Sequence, residues 1–324
     1  MTKTTKFLLI IGAVLLSSVV VIIFLRGNED TWIKDKNGNW IMHGQPLVVD
    51  FESCSQKYPI EESFPRKCSI PKGPTFTEEI ERIAVYGDSR DGHDIHRKIV
   101  AEIVQYSPKY VFHTGDLVDD GSIKEQWDTF NSITEQISST IFPVLGNHEK
   151  NDPNYYNNFV LPGNEEWYYM DTEFVYFICI DSNKILEADP GQLNWFKEQL
   201  AIANNNNKFV AIVMHHPLFS SAKHATDDIS IKLKETLVPL IEGKANVVFA
   251  GHDHVYERLE KDGVSYLTIG SAGAPLYQLA NKSPHSILFE SKYSYAQIQS
   301  TKEKMSLKII DENGEEFDSL EIKK

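Results

Sequence analysis

The chain has 324 residues, and its 46 acidic against 32 basic side chains leave a formal net charge of −14. Nucleic-acid binders gather lysine and arginine into a domain or stripe that neutralises phosphates. No such run occurs here, which argues against a nuclease and against nucleic acid as a partner. At 41% hydrophobic and 24% charged residues, the composition is that of a folded globular protein, long enough for one large α/β domain or two smaller ones.

In chain order, the first predicted element belongs to a membrane. Phe7 to Leu25 carries no charge and is broken only by Gly12, Ser17 and Ser18. As a helix it spans roughly 28 Å, a bilayer core. A cleaved signal has an apolar core of about 7 to 15 residues and then a small-residue cleavage site, whereas Phe24, Leu25 and Arg26 follow here directly. Residues 1–27 are therefore expected to be a short cytoplasmic start and an uncleaved single-pass anchor. Lys3 and Lys6 precede the span and Glu29 and Asp30 follow Arg26, which puts the rest of the chain on the extracytoplasmic side. Residues 1–27 hold three basic and no acidic side chains, so the exported part keeps 29 basic against 46 acidic, a net −17.

Residues 28–80 read as a juxtamembrane stalk or accessory segment. Thr31 to Lys36 and Asn39 to His43 flank Asn37-Gly38, a hairpin turn signal, with Trp32 and Trp40 placed to pack across it. Prolines at 46, 59, 65, 71 and 74 keep the following stretch irregular. Cys54 and Cys68 within it are expected to pair in an oxidising compartment, and Cys179, in the apolar run Val175 to Ile180, to be a buried small hydrophobe.

Residues 81–324 alternate short apolar strands with amphipathic helices, an α/β pattern. Strands are predicted at Ile83–Tyr86, from Val111, and at Ile141–Leu145, Val175–Ile180, Phe209–Met214 and Val247–Ala250. Helices are predicted over Asp94–Tyr106, after a Ser122/Glu125 capping box, over Pro190–Ala203 behind Asp189, and over Ile229–Ile241. Beyond residue 255 the pattern turns strand-rich, with turns at Asp262-Gly263 and Asn313-Gly314.

The polar residues stand where these strands end. Asp88, Asp116, Asn147 with His148, His215 with His216, and His252 with His254 each follow a strand, and strand carboxyl ends form the ligand crevice of α/β sheets. Alone, each is a helix cap or an ordinary histidine. Together, two carboxylates, an amide and several imidazoles are costly to bury unless something positive compensates them. Oxygen and imidazole donors without thiolate suit iron, manganese, zinc or nickel, and the count suffices for two ions sharing a carboxylate.

These residues resemble the calcineurin-like metallophosphoesterases, through Gly87-Asp88, Gly115-Asp116 within GDLVDDG, Gly146-Asn147-His148-Glu149, His215-His216-Pro217 and Gly251-His252-Asp253-His254. The last block continues as GHDHVYER, like the purple acid phosphatase branch, and LPGNEEWYYMDTEFVYFICIDS between the third and fourth blocks is similar too. The resemblance implies a double β-sandwich flanked by helices (αββα). It implies that Asp116 bridges two divalent or trivalent metal ions, with Asp88 and His254 on the first and Asn147, His215 and His252 on the second. His148 would stand beside the metals as a proton donor to the leaving group, and His216 on the substrate side. A phosphate mono- or diester would be the substrate.

One departure marks the first block. The family's Asp-x-His becomes Asp88-Ser89-Arg90, and a guanidinium cannot ligate a metal. The tyrosine that purple acid phosphatases place three residues after the bridging aspartate is here Asp119, so Asp119 or water would complete the first site. Arg90 either forks onto phosphate oxygens or pairs with Asp91 or Asp119. The leading expectation is an extracytoplasmic metallophosphoesterase. A binding or sensing domain on the same scaffold, with little or no activity, is the alternative, and a phosphodiesterase or nuclease is a third reading that the exported part's net −17 disfavours. Tyr155, Tyr156, Trp167, Tyr168 and Tyr169 are pocket candidates, with the core as their plainer destination.

Overall fold

The computed structural model describes residues 32–34, 40–42 and 80–324 apart from 185 and 187. The span from Phe7 to Leu25 and the Cys54/Cys68 pair lie outside the described residues. Among the described residues, no helix is long and apolar enough to cross a membrane. The Asn37-Gly38 turn also lies outside the described residues, while the strands on either side of it, β1 (Trp32–Lys34) and β2 (Trp40–Met42), pair antiparallel, Trp32 opposite Met42 and Lys34 opposite Trp40. That register puts the two tryptophan positions diagonal on one face rather than directly opposed.

Two sheets carry the rest. In the first, β3 (Glu81–Tyr86), β4 (Tyr110–His113) and β5 (Thr140–Pro143) run parallel. The C-terminal strands β13 (Ser294–Ser300), β14 (Lys304–Asp311) and β15 (Glu316–Lys323) extend it antiparallel from β3, giving the order β15-β14-β13-β3-β4-β5. The second sheet comprises β6 (Tyr168–Asp171), β7 (Val175–Cys179), β8 (Phe209–Val213), β9 (Val247–Ala250), β10 (Tyr256–Lys261), β11 (Val264–Ile269) and β12 (Ser286–Glu290). Its order is β12-β10-β11-β9-β8-β7-β6.

The strands β7, β8 and β9 are buried along their whole length, as expected for parallel strands covered on both faces. Their alternate residues serve two cores. Phe177, Val213 and Phe249 face the first sheet, where Phe177 stacks on Phe112 with ring centroids 4.1 Å apart. Ile178, Ile212 and Val248 face away, onto Phe196 and Leu200 of α4 (Pro190–Asn205) and Leu233 and Leu237 of α5 (Asp228–Ile241). On the outer face of the first sheet, α1 (His93–Tyr106) brings Ile99 and Ile103, and α2 (Lys124–Thr134) brings Trp127 and Phe130. Burying each such side chain contributes about 1.5–3 kcal/mol. The result is the expected αββα sandwich.

Local expectations held unevenly. Asp189 caps α4 by accepting the Gln192 amide at 3.2 Å. The Ser122/Glu125 capping box does not form: Ile123 is the N-cap of α2, and the Ser122 hydroxyl donates to Asp120 Oδ1 at 2.7 Å instead. Cys179 is free and fully buried. Tyr155 and Tyr168 are core, both donating to the Pro143 carbonyl at 2.8 Å, with Tyr155 carried on the short α3 (Pro153–Asn158).

Candidate metal centre

The polar blocks converge on one rim, built from both sheets. β3, β4 and β5 deliver Asp88, Asp116 and Asn147-His148 from the first sheet, while β8 and β9 deliver His215 and His252 from the second. The turns that aim them are tight. Asp88, Asp116 and His252 adopt left-handed backbone, with φ of 52°, 56° and 67°, a conformation that costs about 1–3 kcal/mol and persists where surroundings enforce it. Two contacts do the enforcing here. The His252 amide donates to both oxygens of Asp88 at 3.1 and 3.0 Å, and the His148 amide donates to Asp116 Oδ1 at 3.1 Å.

Four potential ligand atoms meet at this point. Asn147 Oδ1 lies 2.9 Å from His215 Nε2 and 2.9 Å from His252 Nδ1, the two nitrogens are 3.1 Å apart, and Asp116 Oδ1 is 3.4 Å from His215 Nε2. His215 Nδ1 donates to the Thr114 carbonyl at 2.9 Å, which fixes the tautomer and turns the Nε2 lone pair inward. Burial holds the basicity of His215 down to about 3, and burial followed by neighbouring imidazoles holds His252 below its ordinary value. Neutral imidazoles, an amide oxygen and a carboxylate gathered at these distances fit a cation of the borderline class. His252 Nε2 is buried without a hydrogen-bond partner, 3.7 Å from the Asp227 carboxylate.

The second group is Asp88, Asp116 and His254, whose ligand atoms fall within 4.8 Å of one another. His254 Nδ1 donates to the Pro275 carbonyl at 2.8 Å, leaving Nε2 3.6 Å from Asp88 Oδ1. Burial and the neighbouring Asp116 raise the Asp88 carboxyl well above its ordinary value. Asp119 does not complete this group. Its Oδ1 accepts from Arg90 Nη1 at 2.9 Å and lies 3.3 Å from His148 Nδ1, half exposed.

Arg90 makes both salt bridges its sequence neighbours offered, to Asp91 at 2.8 Å and to Asp119, and its Nε also stands 3.5 Å from Asp116 Oδ2. His148 Nδ1 donates to the Asp119 carbonyl at 2.5 Å, and its Nε2 faces Asp116 Oδ2 at 3.8 Å. His216 is set apart by Ser182. That hydroxyl oxygen accepts the amides of His215 and His216 at 3.1 and 2.9 Å, so its own proton goes to His216 Nδ1 at 3.0 Å. The His216 Nε2–H is then a donor, suited to an anionic oxygen rather than to a metal.

Sequence reasoning missed His224 and Asp227. The His224 ring lies 4.2 Å from that of His252, and its Nδ1 is 2.7 Å from Asp227 Oδ2. Neither residue follows a strand, and Asp227 precedes a helix, where an aspartate reads as a cap. In the structure its side chain makes no cap bond.

Residues 81–256, more than half of the chain, match the family described as Calcineurin-like phosphoesterase. Over 217 residues the chain is 27% identical to "Probable purple acid phosphatase 20" of Arabidopsis thaliana, covering 57% of this chain and 51% of that protein. The chain thus spans about half the length of the curated relatives it matches. Among solved structures it is similar to a purple acid phosphatase from yellow lupin (Lupinus luteus) seeds, with a TM-score of 0.67 at 19% identity over 75% of this chain and 54% of that one. It is also similar to a dimetal phosphatase from Danio rerio, with a TM-score of 0.55 at 16% identity over 76% and 99% of the two chains.

Proposed function

Because the chain belongs to the calcineurin-like phosphoesterases, we propose that it hydrolyses phosphate esters, mono- or diesters, at the metal-binding rim formed by Asp88, Asp116, Asn147, His215, His252 and His254. The observation that carries this reading is the convergence of Asn147 Oδ1, His215 Nε2 and His252 Nδ1 within 3.1 Å of one another beside Asp116. An ion held by these residues, whether iron, manganese, zinc or nickel, would supply Lewis acidity to the phosphoryl group and to a nucleophilic water.

The chain's own residues account for the rest. His216 would offer its Nε2–H to a phosphoryl oxygen, and Arg90, held by Asp91 and Asp119 through Nη1, keeps Nε and Nη2 at the rim beside Asp116 and His254 for another. His148, with Nδ1–H tied to the Asp119 carbonyl, would in its doubly protonated form present Nε2–H to a leaving alkoxide and keep the Nδ1 proton after giving up the other. The alternative, a domain that binds and no longer hydrolyses, draws on the arginine that stands in the family's ligand position. Turnover of an aryl phosphate monoester and of a bis-aryl diester by the purified protein, before and after chelation, tests the reading. No turnover of either with metal bound would leave the binding domain.

We further propose that this domain works outside the cytoplasm, tethered by Phe7 to Leu25. The uncharged run and the basic residues before it support this. Protease added to intact cells should release the domain, and non-reducing peptide mapping should recover Cys54 joined to Cys68. Protection of the domain in intact cells would refute the orientation.

A further inference from the structure

We infer that the guanidinium of Arg90 takes the place of one of the two ions its resemblance implies, so that each chain holds a single metal ion, at Asp116, Asn147, His215 and His252. The inference rests on the metal-dependent reading above and narrows it.

The two donor groups differ in what already neutralises them. Among the described residues no lysine or arginine pairs with Asn147, His215 or His252, and the His215 tautomer turns the Nε2 lone pair onto Asn147 Oδ1 at 2.9 Å, with His252 Nδ1 at the same distance from that oxygen. Around Asp88, Asp116 and His254 a permanent cation is built in. Arg90 Nε lies 3.5 Å from Asp116 Oδ2, and Nη2 lies 3.5 Å from His254 Nε2, the nitrogen whose lone pair faces the group because Nδ1 donates to Pro275. The guanidinium thus touches two of the three residues that would hold the ion.

Arg90 cannot easily leave. Its side chain is only 12% exposed, and Asp91 and Asp119 hold Nη1 from the solvent side at 2.8 and 2.9 Å. Its backbone is pinned on the preceding side by Ser89, whose hydroxyl oxygen lies 3.0 Å from His113 Nε2. His113 Nδ1 accepts the Gly115 amide at 3.1 Å, so Nε2 is the protonated nitrogen and donates to Ser89. Gly273, whose Cβ would meet the Ser89 carbonyl, closes the other side. A second cation among these donors would sit against a fixed positive charge, and like charges at such range disfavour one another strongly. The replacement also removes a donor, since arginine has no lone pair to give. Functionally, Arg90 would supply at that edge a charge that needs no loading, does not exchange and offers N–H groups to phosphoryl oxygen.

The test counts ions rather than turnover. The full chain, equilibrated with Mn²⁺ or Zn²⁺ and dialysed, is assayed by elemental analysis. Wild type should carry one ion per chain, His252→Ala none and His254→Ala still one. Arg90→His, which places an imidazole two residues after Asp88, should carry two, while Arg90→Lys should stay at one. Thermal unfolding checks that each variant is folded, and the wild-type, His252→Ala and His254→Ala counts decide the matter if an Arg90 variant is not. Two ions in wild type would overturn the inference and leave the proposed function intact. No ion in wild type would overturn both. One ion that depends on His254 rather than His252 would place it in the wrong group and overturn the inference.

Discussion

The carboxylate of Glu149 holds Asp116 in place through the backbone. Its Oε2 accepts the amides of Asp116 and Gly146 at 3.0 and 2.7 Å, and its Oε1 those of Leu117 and Val118 at 2.8 and 3.3 Å. Burial, then the Asp116 charge, pushes the Glu149 carboxyl up to about 8 against the pull of those amides. The loops after β4 and β5 thus share one acceptor. Glu149→Gln would turn an NH₂ group on two of the four amides, and each buried donor left unpaired costs about 1–3 kcal/mol. The expected outcome is a lower unfolding midpoint together with weaker ion retention, read by denaturant titration and elemental analysis. Unchanged stability would mean that the amides find other partners.

His252→Ala and His148→Ala should part company. The first removes a metal donor and should abolish both ion retention and aryl phosphate turnover. The second removes only the imidazole beside Asp116, so the ion should stay while the rate falls roughly a hundred- to ten-thousand-fold, the usual contribution of a positioned acid or base. Ion loss from the His148 variant would show that its role is structural.

Gly146 has no room for a side chain, because a Cβ there would run into Asp116 Oδ1 and its amide. Gly146→Ala should therefore displace Asp116 and lower metal content. Gly243→Ala serves as a comparison, since nothing lies within 4 Å of a Cβ there, although its φ of +65° carries backbone strain. Equal metal content in the two variants would refute the steric argument.

Glu81 gives a pH-dependent prediction away from the rim. It accepts from the Thr172 hydroxyl at 2.7 Å and is buried, and burial raises its carboxyl above the usual 4.5. The folded state therefore binds this proton more tightly than the unfolded state. The associated stability is present below 4.5 and is lost as pH rises through the folded-state value. Glu81→Gln cannot ionise, so its melting temperature relative to wild type should be higher at pH 8 than at pH 5. A difference that does not change with pH would sink the argument.

Much of this centre was legible because its residues follow strands, and strands announce themselves by apolar runs. Asp88, Asp116, Asn147, His215 and His252 could be placed on one rim from that fact alone. The partition of the rim between two sheets could not, since an apolar run does not say which sheet it joins. His224 and Asp227 escaped for the opposite reason: they sit on the loop before α5, and only the packing of that loop against His252 gives them a role. The capping box failed because Asp120, two residues before Ser122, competed for the serine hydroxyl.

The pairing of β13 with β3 has a consequence for the order in which the protein can be made. Ile298 lies opposite Ile83, more than two hundred residues away along the chain. Every candidate ligand has been synthesised by residue 254, yet the strand leading to Asp88 lacks its flanking neighbour until some forty residues later. Closing so long a loop is entropically slow, and a nascent chain would hold its imidazoles and carboxylates unassembled through most of translation. Any metal capture at the rim would then follow the pairing of β13 with β3, and belong to the compartment in which those strands meet rather than to the one in which the ligands are first made.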